Sequence, residues 1–289
     1  MANSDSHRLG QLIGVMLEKA IEPRLRAILP NETFYLDTVN TNRNVRGKKK
    51  KVSWIDYQGN QHDLDFVIEK NGTADKYGNP KAFIECAWRR YTKHSKNKAQ
   101  EIQGAILPLS IHYHHDKPFL GAILAGEFTE PSLKQLTSSG FKVLYISYDE
   151  ILEAYLSINL DISFNEDTDL ESLKSKADAL AGLTDSQLNS VIEKLYKIIE
   201  SKLKIFLDSL TTALNRAIAR VIIQPSFTNS FDFDDIEKAK SYLLNFNHNV
   251  NPHELKFENF FIYIEYTNGD NLKAEFKEIT DALYFLENI

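Results

Sequence analysis

Residues 82 to 98 read Ala-Phe-Ile-Glu-Cys-Ala-Trp-Arg-Arg-Tyr-Thr-Lys-His-Ser-Lys-Asn-Lys. A short apolar run carrying Glu85 passes directly into a track of five cations, with no acid before Glu101. Twenty residues upstream of Glu85, Asp65 stands near the start of a second β-like run, Asp63-Leu-Asp-Phe-Val-Ile-Glu69. Two carboxylates on neighbouring strands suggest a divalent-metal site. A basic track beside them fits a phosphodiester substrate.

Working outward, Leu9 to Ala27 has helical periodicity, with Leu12, Ile13, Met16, Leu17 and Ala20 on one face and Glu18 at its margin. After a polar, Asn-rich loop, Lys51–Tyr57 and Asp63–Glu69 flank Gln-Gly-Asn-Gln, which is hairpin chemistry. Ala82–Trp88 is the third strand. A helix is expected from Lys96 to Ser110, capped by Ser95 and buried through Ile102, Ile106 and Leu109. Strand Phe119–Ala125, helix Glu130–Ser138 and strand Phe141–Ser147 complete the order α-β-β-β-α-β-α-β. Antiparallel strands followed by a crossover unit predict an α/β fold, a mixed β-sheet flanked by helices.

The acid-rich stretch 161–171 is read as a boundary, giving domains 1–160 and 161–289. Thr184-Asp-Ser-Gln187 resembles a capping box opening an apolar-periodic segment through Leu188, Val191, Leu195, Ile198, Phe206, Leu210, Leu214 and Val221. Unbroken to residue 223, that helix would be about 58 Å long, so it is expected to bend or to pack on a partner. A helix near Asp234–Leu244, a hairpin at Thr267-Asn-Gly-Asp and a helix at Thr280–Leu286 give a mostly helical C-terminal part with a small β-hairpin/helix end.

A net charge of −6 argues against indiscriminate coating of nucleic acid and confines such binding to local patches. Arg43 to Lys51 carries six cations and no acid. The lone cysteine, Cys86, excludes an intrachain disulfide and a cysteine zinc cluster. No signal peptide and no apolar run long enough for a bilayer are visible, so a soluble, cytoplasmic protein with no membrane partner is expected.

The strand order with Asp65 and Glu85 resembles the PD-(D/E)xK nuclease superfamily, which includes most type II restriction endonucleases; the resemblance covers residues 9 to about 148. It implies a restriction-endonuclease-like αβββαβ core. It also implies Mg²⁺ held by Asp65, Glu85 and the carbonyl of Cys86, a donor set that suits a hard cation. Family members often recruit a helical carboxylate, which makes Glu18, Glu101 and Gln103 further candidates. The pattern departs from the family at Ala87, where a lysine is expected, and no proline precedes Asp65. Arg89 shares the strand face but cannot act as a base. Lys93, Lys96 or Lys98 are the alternative cations, Lys98 being preferred because it lies just inside the following helix.

Blander explanations run beside these. Acids on adjacent strands are often solvent-facing, and Asp63 and Glu69 share parity with Asp65, Asp63 being its main rival as ligand. Lys48, Lys49, Lys50 and Lys51 are either a solvated turn or a phosphate grip, extended by Arg89, Arg90, Lys93 and Lys96. His112, His114 and His115 read as a polar helix end rather than a metal site, and Trp88 as core rather than a base-stacking surface. The expected function is sequence-specific, Mg²⁺-dependent hydrolysis of double-stranded DNA by a homodimer, which presents two sites to two strands. Alternatives are a repair or structure-specific nuclease, or a DNA-binding module that has lost the chemistry.

Overall fold

A computed structural model describes residues 5–226, 228–246 and 257–289. The chain forms two compact units, Met1–His112 with Pro118–Thr211, and Tyr113–Lys117 with Thr212–Ile289. Among the described residues, no helix is long and apolar enough to cross a membrane.

The first unit is built on a five-stranded mixed sheet, ordered β1-β4-β5-β6-β7. Its strands are β1 (Phe34–Thr38), β4 (Phe66–Lys70), β5 (Asn79–Arg89), β6 (Phe119–Gly126) and β7 (Lys142–Ser147). The β1–β4 and β4–β5 pairs are antiparallel, whereas β5–β6 and β6–β7 are parallel. β6 is buried almost throughout, as expected of a parallel strand covered on both faces. Helices flank the sheet. α1 (Asp5–Ala27) buries Leu9, Ile13, Met16, Leu17, Ala20, Ile21 and Leu25, the stripe that its periodicity predicts. α2 (Ser95–His112) and α3 (Glu130–Ser138) pack on each other and on β5 to β7.

Two readings of the strands need correction. The expected second strand is broken at Asp65 into β3 (Gln61–Leu64) and β4; β3 pairs only with β2 (Val52–Ile55), in a separate two-stranded ribbon. The first strand of the main sheet is β1, inside what reads as a polar loop. Its sequence Phe-Tyr-Leu-Asp-Thr has Asp37 pointing inward, which hides the strand pattern. With the ribbon set aside, α1, β1, β4, β5, α2 and β6 follow in the order αβββαβ.

Asp37 is buried because Arg43 is buried with it. The Arg43 guanidinium uses all five of its N–H groups. One NH1 bond goes to Asp37 Oδ2 at 2.7 Å and another to Glu69 Oε1; NH2 donates to Glu69 Oε2 at 2.9 Å and to the Lys76 carbonyl at 2.8 Å, and Nε to the Thr73 carbonyl at 3.0 Å. Tyr35 and Tyr77 lie against it, with ring centroids at 4.6 and 4.7 Å. Burial opposes the charge, but the hydrogen bonds Arg43 donates to Glu69 and Asp37 outweigh it and raise its pKa. Gly78 closes the cluster: its N–H reaches Glu69 Oε2 at 2.6 Å, and a Cβ there would collide with the backbone of Lys70 and Gly72. Arg46 is also buried, donating to the carbonyls of Thr38 and Lys50 at 3.1 and 3.0 Å. Arg43 and Arg46 therefore leave the six-cation run as structural groups, and only Lys48 to Lys51 are exposed.

The boundary at residue 160 is also corrected. The acid-rich stretch is anchored within the first unit, because Ile162 and Phe164 are buried and the Phe164 carbonyl accepts from Arg90 Nε at 2.6 Å. α4 (Tyr148–Leu156), α5 (Leu170–Ala181) and α6 (Asp185–Ile198) belong to this unit, as does α7 (Glu200–Leu214) up to Thr211. The Thr184–Gln187 capping box is present. The long helix breaks at Ile199, and its last predicted position, Val221, lies instead in a strand. The β-branched run Val221-Ile222-Ile223 favours that outcome. Val191, Leu195, Phe206 and Leu210 are buried within the unit, so this stripe supplies no argument for a homodimer.

The second unit is a four-stranded antiparallel sheet ordered β11-β10-β8-β9. It is formed by β8 (Ile218–Pro225), β9 (Phe231–Phe233), β10 (Phe260–Tyr266) and β11 (Asn271–Phe276), with α8 (Ile236–Leu244) and α9 (Ile279–Asn288). Its core gathers Val221, Ile223, Leu243, Phe260, Ile262 and Phe285. The hairpin at Thr267–Asp270 is where its Asn-Gly turn predicts it. His115 packs on Phe285 at 4.9 Å, in agreement with a structural rather than metal-binding role.

Removing one partner of a buried ion pair leaves an uncompensated charge, at a cost of about 3–5 kcal/mol. Arg43→Met is expected to lower unfolding stability by that amount in urea titrations. Arg43→Lys should recover little, since an ammonium cannot reach the same acceptors. A loss below about 1 kcal/mol for Arg43→Met would show that the cluster does not brace the sheet.

Candidate active site

Asp65, half-buried, stands at the break between β3 and β4. The register pairs Phe66 with Ile84, which sets Asp65 opposite Glu85 on the central strand β5. Asp65 Oδ2 accepts from the Cys86 N–H at 2.7 Å, and the two carboxyls are hydrogen-bonded to each other. Glu85 is the buried member of this pair, beside Ala122 of β6 in the parallel register. α2 supplies Lys98, whose Nζ lies 4.0 Å from Glu85 Oε2 and 3.4 Å from Glu101 Oε2. α1 brings Glu18 within electrostatic reach of both Asp65 and Glu85.

The charges are out of balance. Burial pushes Glu85 well above the usual carboxylate range, and the neighbouring Asp65 charge adds to it. Burial also raises Asp65, against the pull of the Cys86 N–H, Glu85 and Lys98. Glu18 is pushed up to about 7 by burial first, then by Asp65 and Glu22. Three carboxyls thus stand within electrostatic reach of one another with Lys98 acting on two of them, a deficit of positive charge that a hard divalent cation would fill. Among the described residues, no group of three or more His, Cys, Asp and Glu side chains is placed to hold a metal ion. A site of two carboxylates and a main-chain carbonyl, open to water, does not require one.

The other candidates separate clearly. Asp63 is excluded as a rival, because it is exposed on the ribbon and accepts from Lys51 Nζ at 2.7 Å and Ser53 Oγ at 2.6 Å. Glu69 is committed to Arg43. Gln103 faces α3, donating to Ser139 Oγ at 2.6 Å. Glu101 is exposed and lies 3.5 Å from Arg89 NH2. Ser95 does not cap α2 from outside; its buried hydroxyl donates to the Thr92 carbonyl at 2.8 Å. Trp88 is core, packed against Tyr148.

Of the expected DNA contacts, Arg90 is a structural clamp. Its guanidinium lies 3.9 Å from the Tyr148 ring centroid while Nε holds Phe164. Lys93 is exposed and paired with Glu166, Lys96 is exposed, and Arg89 is half-buried with NH1 on the Trp88 carbonyl at 2.9 Å. Arg43, Asp37 and Glu69 are the cluster that sequence reasoning missed. The available signal was the single acid inside Phe34–Thr38.

No family model matches the chain. No curated protein matches it either. A crystal structure titled as that of a protein of unknown function, AF1548, is 15% identical, covering 65% of this chain and 97% of that one at a TM-score of 0.31. At that score the likeness bears on neither fold nor function.

The raised carboxyls give a signed pH dependence. A carboxyl whose pKa is higher in the folded protein than in the unfolded chain binds more protons when folded, so its contribution falls as pH rises between the two values. For Glu18 that window runs from 4.5 to about 7. Asp56, Asp63 and Asp161 are shifted the opposite way, and they lose their contribution only in acid below that window. Glu18→Gln is therefore expected to gain in melting temperature relative to the wild type as pH rises from 5 to 8. Mg²⁺ should raise the wild-type melting temperature more at pH 8 than at pH 5. A pH-independent difference between variant and wild type would mean that Glu18 titrates as an ordinary surface acid.

Proposed function

We propose that the first unit is a metal-dependent nuclease of the PD-(D/E)xK type that hydrolyses double-stranded DNA, in the manner of a type II restriction endonuclease. One observation carries the reading: Asp65 at the β3–β4 break, Glu85 opposite it on β5 and Lys98 from α2 converge on one point of a sheet laid out αβββαβ. Asp65, Glu85 and the Cys86 carbonyl, with Glu18 beside them, would hold Mg²⁺, which supplies polarisation of a phosphate and a more acidic bound water.

Lys98 answers the departure at Ala87. Ala87 is buried, so a lysine there would have to carry its stem through packed side chains, whereas α2 delivers an amine at 4.0 Å from Glu85 by another route. Its positive charge stands beside the place where a phosphate would gain negative charge, which is the largest electrostatic contribution that a side chain can make to such a step. The exposed Lys93 and Lys96 continue the same positive edge toward the DNA backbone. Cutting both strands calls for two such sites, and a homodimer is the simplest arrangement that provides them. The reading in which the chain only binds DNA rests on Ala87 and differs in one outcome, binding without cleavage.

The test is incubation of the full chain with plasmid and phage DNA in Mg²⁺, where discrete fragments are expected. Asp65→Asn and Glu85→Gln should abolish cleavage. Lys98→Ala should slow the single-turnover rate by about 10²- to 10³-fold, while Lys93→Ala and Lys96→Ala weaken binding and flatten its salt dependence. Intact DNA in both Mg²⁺ and Mn²⁺ would overturn the proposal.

A further inference from the structure

The β2–β3 ribbon plays no part in the chemistry above, yet it is built as a rigid projection. Val52, Trp54 and Leu64 bury its inner face, and Trp54 stands edge-on to Phe83 at 5.8 Å and Tyr77 at 5.5 Å. The tip is fixed by Asp56, whose Oδ1 accepts from the N–H groups of Gln58 and Asn60 at 2.8 and 2.9 Å while Oδ2 lies 2.8 Å from His62 Nε2.

The outer face has a different character. Lys49 Nζ donates to Gln61 Oε1 at 3.1 Å, Gln61 Nε2 to Ser53 Oγ at 3.2 Å, and both Ser53 Oγ and Lys51 Nζ to Asp63, at 2.6 and 2.7 Å. This is a row of amide, hydroxyl, carboxylate and ammonium groups laid across two strands and open to solvent. Nearer the tip, Ile55 and Tyr57 are 55% and 56% exposed. Lys48 to Lys51 are all exposed at the base.

Each part has a counterpart in duplex DNA. The major groove, about 12 Å wide, admits a two-stranded ribbon and presents donors, acceptors and thymine methyl groups in a sequence-dependent pattern. A run of four exposed lysines, of which Lys51 is paired with Asp63, complements a line of phosphates. We propose that the β2–β3 ribbon is the element that reads base sequence in double-stranded DNA, with Ser53 and Gln61 meeting base edges and Lys48 and Lys50 the flanking phosphates. The inference rests on the nuclease reading and deepens it, because β3 runs through Leu64 directly into Asp65. The reading row ends at Asp63, two residues before the proposed metal carboxylate.

The test selects bound duplexes from a random-sequence library with the full wild-type chain in Ca²⁺, then titrates the enriched duplex and a scrambled one over a range of salt. Ser53→Ala/Gln61→Ala is expected to lose about tenfold in preference for the enriched duplex, with an unchanged salt slope. Lys48→Ala/Lys50→Ala should weaken both duplexes alike and reduce the slope by about 2. Both variants should keep the wild-type melting temperature. If the wild type selects and cuts a sequence while both variants sort the library as it does, the ribbon is not the reader and the nuclease reading stands. If the wild type neither retains duplexes nor cuts plasmid, both readings fall together.

Discussion

The buried Arg43 guanidinium is the constraint from which the first unit takes its shape. It joins Asp37 on β1 to Glu69 on β4 and, through the Thr73 and Lys76 carbonyls, holds the loop that leads into β5. That loop sets where β5 begins, and the β4–β5 register then places Asp65 opposite Glu85. Taking these charges out of water is expensive, and an apolar cluster of similar volume could be as stable. What the ionic version adds is directionality: five N–H groups in a planar fork admit one arrangement of three chain segments, whereas hydrophobic packing would tolerate a slipped strand. A one-residue slip would carry Asp65 to the other face of the sheet and remove the candidate site altogether.

The two acid clusters of this unit are opposites. Around Arg43, two carboxylates face a guanidinium whose every donor is used, and Arg46 stands 3.4 Å from the other Asp37 oxygen. Around Lys98 the pairing is looser: its ammonium lies 4.0 Å from Glu85 and 3.4 Å from the exposed Glu101, while Asp65 and Glu18 add negative charge beside Glu85. Burial raises carboxyl pKa values in both clusters, at Glu69 as well as at Glu85, Asp65 and Glu18; the clusters differ in that Arg43 binds the Glu69 carboxylate through two hydrogen bonds, whereas Lys98 stands 4.0 Å from Glu85. Structural ion pairs are expected to be satisfied within the fold. On the nuclease reading, a cation would bind at the cluster left short of positive charge on the central strands.

Much of this was legible in the sequence where local pattern and burial agree. α1, α3, the α6 capping box and the Thr267–Asp270 hairpin follow from periodicity and turn chemistry, and Glu85 is legible because an acid inside Ala-Phe-Ile-x-Cys-Ala-Trp must be accommodated somewhere. The failures have a common cause in long-range pairing. β1 was hidden because its charge is neutralised by an arginine six residues on in a loop, and the break at Asp65 was hidden because an uninterrupted β pattern carries no mark of where the chain changes partner strands. The acid-rich stretch 161–171 misled because Ile162 and Phe164, two apolar residues among many acids, decide its attachment. Lys98 was reachable only by asking which helix follows β5, since nothing local distinguishes it from Lys96.

The break at Asp65 also links binding to chemistry on the nuclease reading. A strand that leaves one sheet to join another cannot keep its side chains in the ladder at the crossing point, so the residue there is freed from cross-strand packing. Placing the metal carboxylate at that residue puts it at the end of the ribbon rather than in its middle. Trp54 fixes the ribbon to the core and Asp56 fixes its tip, and Leu64–Asp65 is the direct link from the ribbon to β4. A duplex that displaced the ribbon by even an ångström would move Asp65 relative to Glu85, and misplacement on that scale is enough to slow a positioned reaction about a hundredfold. Sequence discrimination would then appear in the rate of cleavage as well as in affinity, without any separate device to couple the two.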